Sequence, residues 1–290
     1  MKLYRYIRAL DLIDGKTILS ARLKGALEES KIYFSHPASF NDPLECTIPL
    51  KIDEYDLYKD KFHDFIEKTV SSAIGKREDA TDRNKRIYEA IEFGIPSENC
   101  LIICFAKDGN NQLMWSHYAD QHKGICLCYE FPDSTDEWIS NIEWSSSIRY
   151  DMENYDLQWY GNSVIYQKKR PALEIANPEL PTEKWTLKND YKITDAIFTK
   201  PLCWAYEQEW RLALFLPFGS KVAFAAGINT SAYHATLPRE WLTEITFGLR
   251  LDKKYCDEII KTITDSKYPN VSFRKAKMAH DEFRIVNTEY

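Results

Sequence analysis

Residues 101–131 read LIICFAKDGNNQLMWSHYADQHKGICLCYEF. The two ends of this stretch, 101–106 and 125–131, are apolar runs with the length and composition of buried strands. The segment between them is dense in Trp, His and Tyr, side chains that stack on ligands and hydrogen-bond to them. The pattern therefore predicts two core strands that hold one wall of a binding or catalytic pocket.

The composition is that of a globular chain with an ordinary core. Hydrophobic residues make up 44% of the 290 residues and charged residues 28%, and aromatic residues are frequent at 14%. A chain of this length buries on the order of 75% of its unfolded surface, so it needs no disulfides. The net charge of −6 argues against broad nonspecific binding to nucleic acid, although it leaves a local basic groove open.

The cysteines and the beginning of the chain indicate an intracellular setting. The seven cysteines are odd in number, lie mostly in apolar strand patterns and lack the flanking turn residues of a zinc site. Residues 1–6 contain no signal-peptide apolar core, and no run approaches the ~20 apolar residues of a membrane span. We expect a cytoplasmic protein with reduced thiols, no structural metal and no membrane partner.

Periodicity along the chain predicts an α+β fold in one domain, residues 1–290. The sheet is expected to be mixed but mostly antiparallel, with flanking helices and a helical insertion at about 53–93. Strand patterns occur at 3–7, 31–35, 101–106, 125–131, 144–150, 207–215, 242–248, 271–274 and 282–286, and helical patterns at 17–27, 183–199 and 252–264. Residues 151–180, which contain several prolines, are expected to form a long surface excursion.

A polar loop at residues 36–45, HPASFNDPLE, is a candidate site element. Its two prolines and its Asn-Asp-Pro turn restrict the backbone, so that Asn41, Asp42 and Glu45 can be presented accurately. The alternative is an ordinary turn in which Asn41 and Asp42 bond to their own backbone.

A second informative stretch, residues 202–215, reads LCWAYEQEWRLALF. In a strand that begins at Glu207, the side chains of Glu207, Glu209 and Arg211 lie on one face and those of the alternating apolar residues on the other. The charged row forms either a solvent-facing edge with cross-strand ion pairs or a pocket wall in which Arg211 orients a catalytic carboxylate or an anionic substrate. The surrounding aromatic residues favour the pocket wall.

Several standard chemistries have no motif in this chain. It contains no Gly-x-Gly-x-x-Gly or Gly-Lys-Ser/Thr phosphate loop, and only ten glycines in all. It also lacks the Gly-x-Ser-x-Gly elbow of many serine hydrolases. His117 and His122 are five residues apart, so they do not share a helix face as paired metal ligands would.

Seven short blocks of the chain carry a family resemblance. The blocks are LYRY at 3–6, YFS at 33–35, FNDPLE at 40–45, CF at 104–105, MWSHYA at 114–119, HKG at 122–124 and WAYEQEWR at 204–211. In this order they resemble an uncharacterised bacterial family known as domain of unknown function 2971. The resemblance spans most of the chain from residue 3 to about 215 and implies no activity.

A second resemblance, to the ADP-ribosyltransferase superfamily, rests on three dispersed strands. In that superfamily a first strand carries His or Arg for the nicotinamide ribose, a second Tyr or Ser beside the nicotinamide, and a third the catalytic Glu. Arg5 resembles the first element, and Tyr33 and Ser35 resemble the second. Glu209, with Glu207 two positions before it, resembles the Glu-x-Glu of the third, whereas the first strand has no His-Gly-Thr.

This second resemblance implies NAD as the substrate. The catalytic glutamate would hydrogen-bond to the ribose 2′-hydroxyl and stabilise the oxocarbenium charge that develops as nicotinamide leaves. Tyr6, Tyr33 and Trp115 would hold the nicotinamide by stacking. Arg5 or Arg211 would neutralise the pyrophosphate.

Two other functions fit the same residues. A metal-dependent nuclease or phosphodiesterase would bind a divalent ion through Asp42, Glu45, His117 and Glu209 to activate water. A non-catalytic sensor would hold a small nucleotide in the aromatic pocket, where His117 and Tyr118 are candidate contacts. For either enzyme, analogy alone suggests a role in phage defence or as a toxin, with an unidentified macromolecule as the acceptor of any transferred group.

Overall fold

The structure is a computed structural model. It describes residues 1–74, 95–96, 100–154, 157–186, 188, 193–215 and 233–290. The strands in these ranges are β1 (Lys2–Ile7), β2 (Leu10–Ile13), β3 (Lys16–Leu19), β4 (Lys31–Tyr33), β5 (Thr47–Ile48), β6 (Leu50–Ile52), β7 (Ile95–Pro96), β8 (Cys100–Ala106), β9 (Ile125–Glu130), β10 (Glu143–Trp144), β11 (Gln158–Ser163), β12 (Ile165–Gln167), β13 (Leu173–Ile175), β14 (Thr199–Pro201), β15 (Glu209–Phe215), β16 (His234–Thr236), β17 (Leu242–Phe247), β18 (Ser272–Met278) and β19 (Ile285–Glu289). The helices are α1 (Ala21–Glu28), α2 (Tyr55–Ile74), α3 (Gln112–His117), α4 (Thr135–Asn141), α5 (Ser146–Asn154), α6 (Ile193–Ile197) and α7 (Lys253–Asp265).

The fold is α+β, as the sequence predicts, and it is built on an eight-stranded mixed sheet. The strand order is β11-β15-β8-β1-β9-β17-β18-β19. Every neighbouring pair is antiparallel except β17 and β18, which are parallel. The two apolar runs predicted as core strands become β8 and β9, on either side of β1. Their near-continuous apolar sequence suits strands that are covered on both faces.

One face of this sheet carries the larger hydrophobic core. Side chains such as Leu127, Ile245 and Phe247 are fully buried there and belong to one cluster with residues of α1 and α7. The opposite face is different near β8. There the register places Cys104 opposite Arg211 and Ala106 opposite Glu209, so small side chains lie beside charged ones.

The sheet opens between β1 and β8. These two strands are paired at one position only, where Tyr4 lies opposite Ala106. Further along β8, the backbone of Ile102 exchanges two hydrogen bonds with Ser35, at 2.8 and 2.9 Å. The segment that follows β4 thus takes the place of β1 beside β8, which leaves a gap between the two strands.

The predicted helix at 17–27 is wrong in its first turn. Residues Lys16–Leu19 pair with Leu10–Ile13 as a β-hairpin. Asp14 and Gly15 both have positive φ, 50° and 74°, as a tight hairpin turn requires. Helix α1 therefore begins only at Ala21, where the side chain of Ser20 accepts a hydrogen bond from the backbone of Leu23.

Other segments differ from their predictions because tertiary pairing decides their structure. The strand predicted at 144–150 is mostly helix α5, and the excursion predicted at 151–180 contributes β11 to the edge of the main sheet. In the described part of 183–199, the α-helix is limited to Ile193–Ile197. The strand predicted at 282–286 begins at Ile285 and pairs with β18. Helix α2 occupies the first half of the predicted insertion, and residues 75–94 lie outside the described residues.

No helix in the described part of the chain is long and apolar enough to cross a membrane.

Leu127 tests the importance of the central strand. Replacing this fully buried side chain with alanine leaves a cavity between the sheet and its covering helices, so Leu127→Ala should lower the free energy of unfolding by about 2–5 kcal/mol. Leu57→Ala, at a helical position that is 68% exposed, should change it by less than about 0.5 kcal/mol. Denaturant unfolding of both variants would measure the difference, and equal losses would contradict the assignment of the core.

Candidate functional site

A cavity of about 590 Å³ occupies the opening in the main sheet. Its walls come from β1, β8, the beginning of β15, the loop after β4, the first turn of α1, helix α3 and the segment around Lys200. This volume lies in the range of small-molecule binding sites.

A cluster of five buried charged side chains lies at the β15 side of the cavity. It comprises Glu45, Lys200, Glu207, Glu209 and Arg211, of which all but Arg211 line the cavity. Lys200 Nζ lies 2.5 Å from Glu207 Oε2, 3.3 Å from Glu209 Oε2 and 3.4 Å from Glu45 Oε2. Arg211 pairs with Glu45 and, at 2.8 Å, with Glu209. Two cations thus hold three carboxylates together.

A sharp change in the backbone brings Glu207 and Glu209 to the same cation. Glu207 ends the 3₁₀ helix Leu202–Glu207, and β15 begins at Glu209. Gln208 between them has a left-handed backbone, with φ 44°. The strand predicted from Glu207 therefore starts two residues later. Glu209 and Arg211 share a sheet face as predicted, whereas Glu207 reaches Lys200 from the preceding turn.

Arg211 anchors the cluster from beneath and does not reach the cavity. Its side chain is fully buried and donates from Nε to Glu209 Oε1 at 2.9 Å. It also donates to the carbonyl oxygen of Ile197 and lies 5.4 Å from the ring centre of Phe40. The backbone of Glu209 is held in turn, because its N–H donates to the Tyr166 hydroxyl at 2.7 Å. The orientation of the Glu209 carboxylate is thereby determined on several sides.

The cluster carries an excess of one negative charge when all five groups are ionised, since it has three carboxylates and two cations. Burial raises the pKa of Glu209 above its ordinary value, and the nearby Lys200 opposes that rise. Burial alone would lower the pKa of Lys200, but Glu209 and Glu207 outweigh it and raise that pKa well above its ordinary value. Lys200 therefore stays charged at neutral pH, and the three carboxylates that surround it line the cavity.

Helix α3 positions an aromatic side chain on this cluster. Asn111 caps the helix by accepting from Leu113 N and donates from its amide to the carbonyl of Tyr206 at 2.8 Å, so that α3 is tied to the 3₁₀ helix. The Tyr118 hydroxyl then donates to Glu207 Oε1 at 2.6 Å and also hydrogen-bonds to the side chain of Asn41.

Two arginines form a cationic wall on the α1 side of the cavity. Arg5 on β1 donates from Nη2 to the carbonyl of Tyr33 at 3.2 Å, while its buried Nη1 has no hydrogen-bond partner among the described residues. Burial and then the like charge of Arg22 lower the pKa of Arg5 to about 10. Both guanidinium groups are thus charged at neutral pH and lie close enough to repel each other.

Cys104 lies between the two walls. Its thiol hydrogen-bonds to the carboxylate of Glu209 and is within electrostatic reach of Arg5 and Arg22. Burial, reinforced by Glu209, raises the pKa of this thiol well above its ordinary value. Cys104 is therefore a neutral thiol at pH 7 and does not provide a thiolate nucleophile.

The cavity brings together nine of the residues that the sequence singles out as site candidates. They are Arg5, Tyr6, Ser35, Asn41, Glu45, His117, Tyr118, Glu207 and Glu209. Of these, Tyr6 already uses its hydroxyl to donate to the carbonyl of Asp108 at 2.8 Å. The first and third elements of the transferase resemblance therefore line one cavity.

Four predicted residues do not line this cavity. Tyr33 packs over Gly25 of α1, and Trp115 is fully buried and donates to the carbonyl of Gly109 at 3.2 Å. Asp42 accepts hydrogen bonds from Leu44 N at 2.9 Å and from a tryptophan indole at 2.8 Å, as a structural turn residue does. The fourth residue, Arg211, lies under the ion cluster.

Lys200 and Arg22 are site residues that the sequence does not reveal. Lys200 precedes a proline, in a segment with a helical pattern. Two of its carboxylate partners lie seven and nine residues further along the chain, and the third, Glu45, lies in a distant loop. Arg22 occupies a polar position of an amphipathic helix, and the helical pattern predicts a solvent-facing side chain there. Neither position carries a local signal, because its significance depends on side chains that only the fold brings near.

The metal-site hypothesis has little geometric support. In the described ranges, no three His, Cys, Asp or Glu side chains are grouped so as to hold a metal ion.

Comparison with known families identifies the segment that carries four of the five charged residues of the ion cluster. Residues 114–212 match a family described as protein of unknown function (DUF2971). The match covers about a third of the chain and confirms the family predicted from the sequence. The matched segment begins within α3 and includes Lys200, Glu207, Glu209 and Arg211.

A bifunctional epoxide hydrolase 2 from Rattus norvegicus is 31% identical over 117 residues, which make up 39% of this chain and 20% of that protein. The match thus spans about a fifth of the relative's length, so the activity in its name does not carry over to this chain. No solved structure matches the chain.

Lys200 provides a test of the ion cluster. Replacing it with methionine leaves three buried carboxylates facing one cation, so Lys200→Met should lower the free energy of unfolding by about 3–5 kcal/mol. Adding Glu207→Gln removes one of those carboxylates and should restore part of the loss. Lys188→Met, which breaks an exposed pair with Asp53, should have a much smaller effect. A double variant no more stable than Lys200→Met alone would argue against charge balance as the cause.

Proposed function

We propose that this chain cleaves NAD at the bond between nicotinamide and ribose, with Glu209 as the catalytic carboxylate. The observation that supports it is the charge pattern of one cavity, which has a buried cluster with one excess negative charge on one side and two arginines on the other. NAD has the complementary pattern, because its nicotinamide ring is positive and its pyrophosphate is negative.

The proposed reaction needs no oxidant and no metal. The C1′–N bond of the nicotinamide ribose breaks, and its electron pair leaves with nicotinamide, which becomes neutral. The ribose carbon becomes an oxocarbenium-like centre, and water or an acceptor nucleophile then forms the new bond to it and loses a proton. A buried carboxylate beside the sugar stabilises the positive charge as it develops.

The chain's own contacts prepare Glu209 for this role. Both of its carboxylate oxygens accept hydrogen bonds from Arg211, and Lys200 lies 3.3 Å from Oε2. Because these donors are themselves buried, the carboxylate is held in one orientation before the substrate binds. Lys200 also donates to Glu207, and the Tyr118 hydroxyl holds that carboxylate in place.

An enzyme that consumes NAD would suit a toxin or a phage-defence protein, because loss of NAD stops the metabolism of the cell. A nucleotide sensor that binds NAD without cleaving it is the alternative outcome of the experiments below.

Glu209→Gln tests the catalytic carboxylate. Released nicotinamide would be measured by chromatography after incubation of the purified protein with NAD. Glu209→Gln keeps the shape of the side chain and leaves two carboxylates facing two cations, so the protein should fold. The rate of nicotinamide release should fall about 100-fold to 1,000-fold.

Two controls sharpen this experiment. Glu207→Gln makes the same change in net charge two residues away and should cost less activity if Glu209 is the carboxylate at the sugar. Glu244→Gln, which alters a partly exposed carboxylate paired with Arg274 outside the cavity, should leave the rate unchanged. Absence of nicotinamide release by the wild type, with or without added divalent metal, would reject the proposed cleavage.

The pH dependence provides an independent test. The reaction needs ionised Glu209, and burial raises its pKa above the ordinary 4.5, so kcat/KM should decline as the pH falls through an apparent pKa above 4.5. Lys200→Met removes the cation that opposes this rise and should move the acid limb to higher pH. An acid limb at or below pH 4.5 in a protein that is still folded by fluorescence would contradict this role for Glu209.

A further inference from the structure

We infer that Arg22 and Arg5, together with the first turn of α1, form a subsite for the diphosphate of a nucleotide. The inference deepens the proposed function by naming the part of the substrate that this wall binds. It assigns a binding role to Arg22, a residue without a local sequence signal.

The first argument is that these two positive charges are not neutralised. Among the described residues Arg22 makes no hydrogen bond or ion pair, and Nη1 of Arg5 is buried without a partner. The groups that act electrostatically on the two arginines, besides each other, are the side chains of Tyr33, Cys104 and Tyr129, none of which is a carboxylate. Two like charges that face a cavity and are not paired with a carboxylate are stabilised when an anion lies between them.

Arg8 and Asp11 do not alter this balance. Both line the cavity near the β2–β3 hairpin, but Arg8 Nε lies 3.5 Å from Asp11 Oδ1, so the two charges compensate each other. The remaining carboxylates that line the cavity belong to the ion cluster around Lys200.

The second argument comes from the beginning of α1. Ser20, the N-cap, and Arg22 both line the cavity, so the first turn of the helix lies at its wall. This turn carries no acidic side chain to offset the positive end of the helix dipole. Free backbone N–H groups at a helix start bind phosphate oxygens, and an adjacent arginine adds two parallel donors.

The third argument is the position of the subsite relative to Glu209. Cys104 hydrogen-bonds to Glu209 on one side and is within electrostatic reach of Arg5 and Arg22 on the other. With Glu209 at the ribose, as the proposed function has it, a ligand that reaches from the arginines to Glu209 carries an anionic group close to a sugar. A diphosphate attached to ribose has this arrangement, and the cavity of about 590 Å³ can hold such a group.

The test compares ADP with adenosine by calorimetric titration of the full chain. Wild-type protein should bind ADP more tightly than adenosine, and added salt should weaken the binding of ADP more than that of adenosine. Arg22→Gln should weaken ADP binding about tenfold to a hundredfold and leave adenosine binding unchanged. Arg22→Lys, which keeps the charge but not the paired donors, should lie between the two.

Lys24→Gln is the matched control. It removes the same charge from the same helix at a position that does not line the cavity, so its ADP affinity should equal that of the wild type. Equal ADP affinities for Arg22→Gln and Lys24→Gln would overturn the subsite. So would wild-type protein that binds ADP no better than adenosine, or that binds no ADP at millimolar concentration.

The outcome is separable from that of the cleavage experiment. If NAD is not cleaved but Arg22→Gln selectively loses ADP, the diphosphate subsite stands and the proposed chemistry fails. If NAD is cleaved and Arg22→Gln changes neither KM nor ADP affinity, the subsite alone fails.

Discussion

The structure around the cavity depends on the buried ion pairs of Arg211 and Lys200 with three glutamates. Arg211 connects β15 to Glu45 in the loop after β4 and to the carbonyl of Ile197 at the end of α6. Lys200, on β14, pairs with Glu45 as well, and also with Glu207 and Glu209. Loss of either cation leaves buried carboxylates uncompensated, so these segments are held together by charge balance as well as by apolar packing.

The same charge balance gives the site its chemical character. A cluster of three carboxylates and two cations is held in place by the fold, while its remaining negative charge is directed at a cavity. The opening between β1 and β8 provides that cavity, and the small side chains of Cys104 and Ala106 leave room beside the charged ones. On the other wall, Arg5 and Arg22 carry the opposite charge. A cavity with carboxylates on one wall and arginines on the other suits a ligand that carries both a positive and a negative group.

Much of the fold is predictable from local pattern, and each wrong prediction has an identifiable physical cause. The core strands were recognisable because a strand that is buried on both faces has a continuous apolar sequence. Helix α7 was predictable because its apolar residues repeat with helical spacing after the N-cap Asp252. The segment before Ala21 has apolar residues at helical spacing, so the pattern predicts a helix there. It forms a hairpin instead, which the Asp14-Gly15 turn and β-branched Thr17 and Ile18 favour. Strand β11 was missed because an edge strand exists only through its partner, β15.

The sequence by itself determined the fold class, the family and the two stretches from which most of the site is built, because hydrophobic periodicity and residue type are local properties. It also placed Glu209 and Arg211 on one strand face. Only the tertiary structure decided that Arg211 anchors the cluster while Lys200 and Arg22 line the cavity, and that Asp42 and Trp115 serve the framework. The physical reason is that charge compensation and burial arise between segments distant in the chain, and no local pattern records which charge will neutralise which.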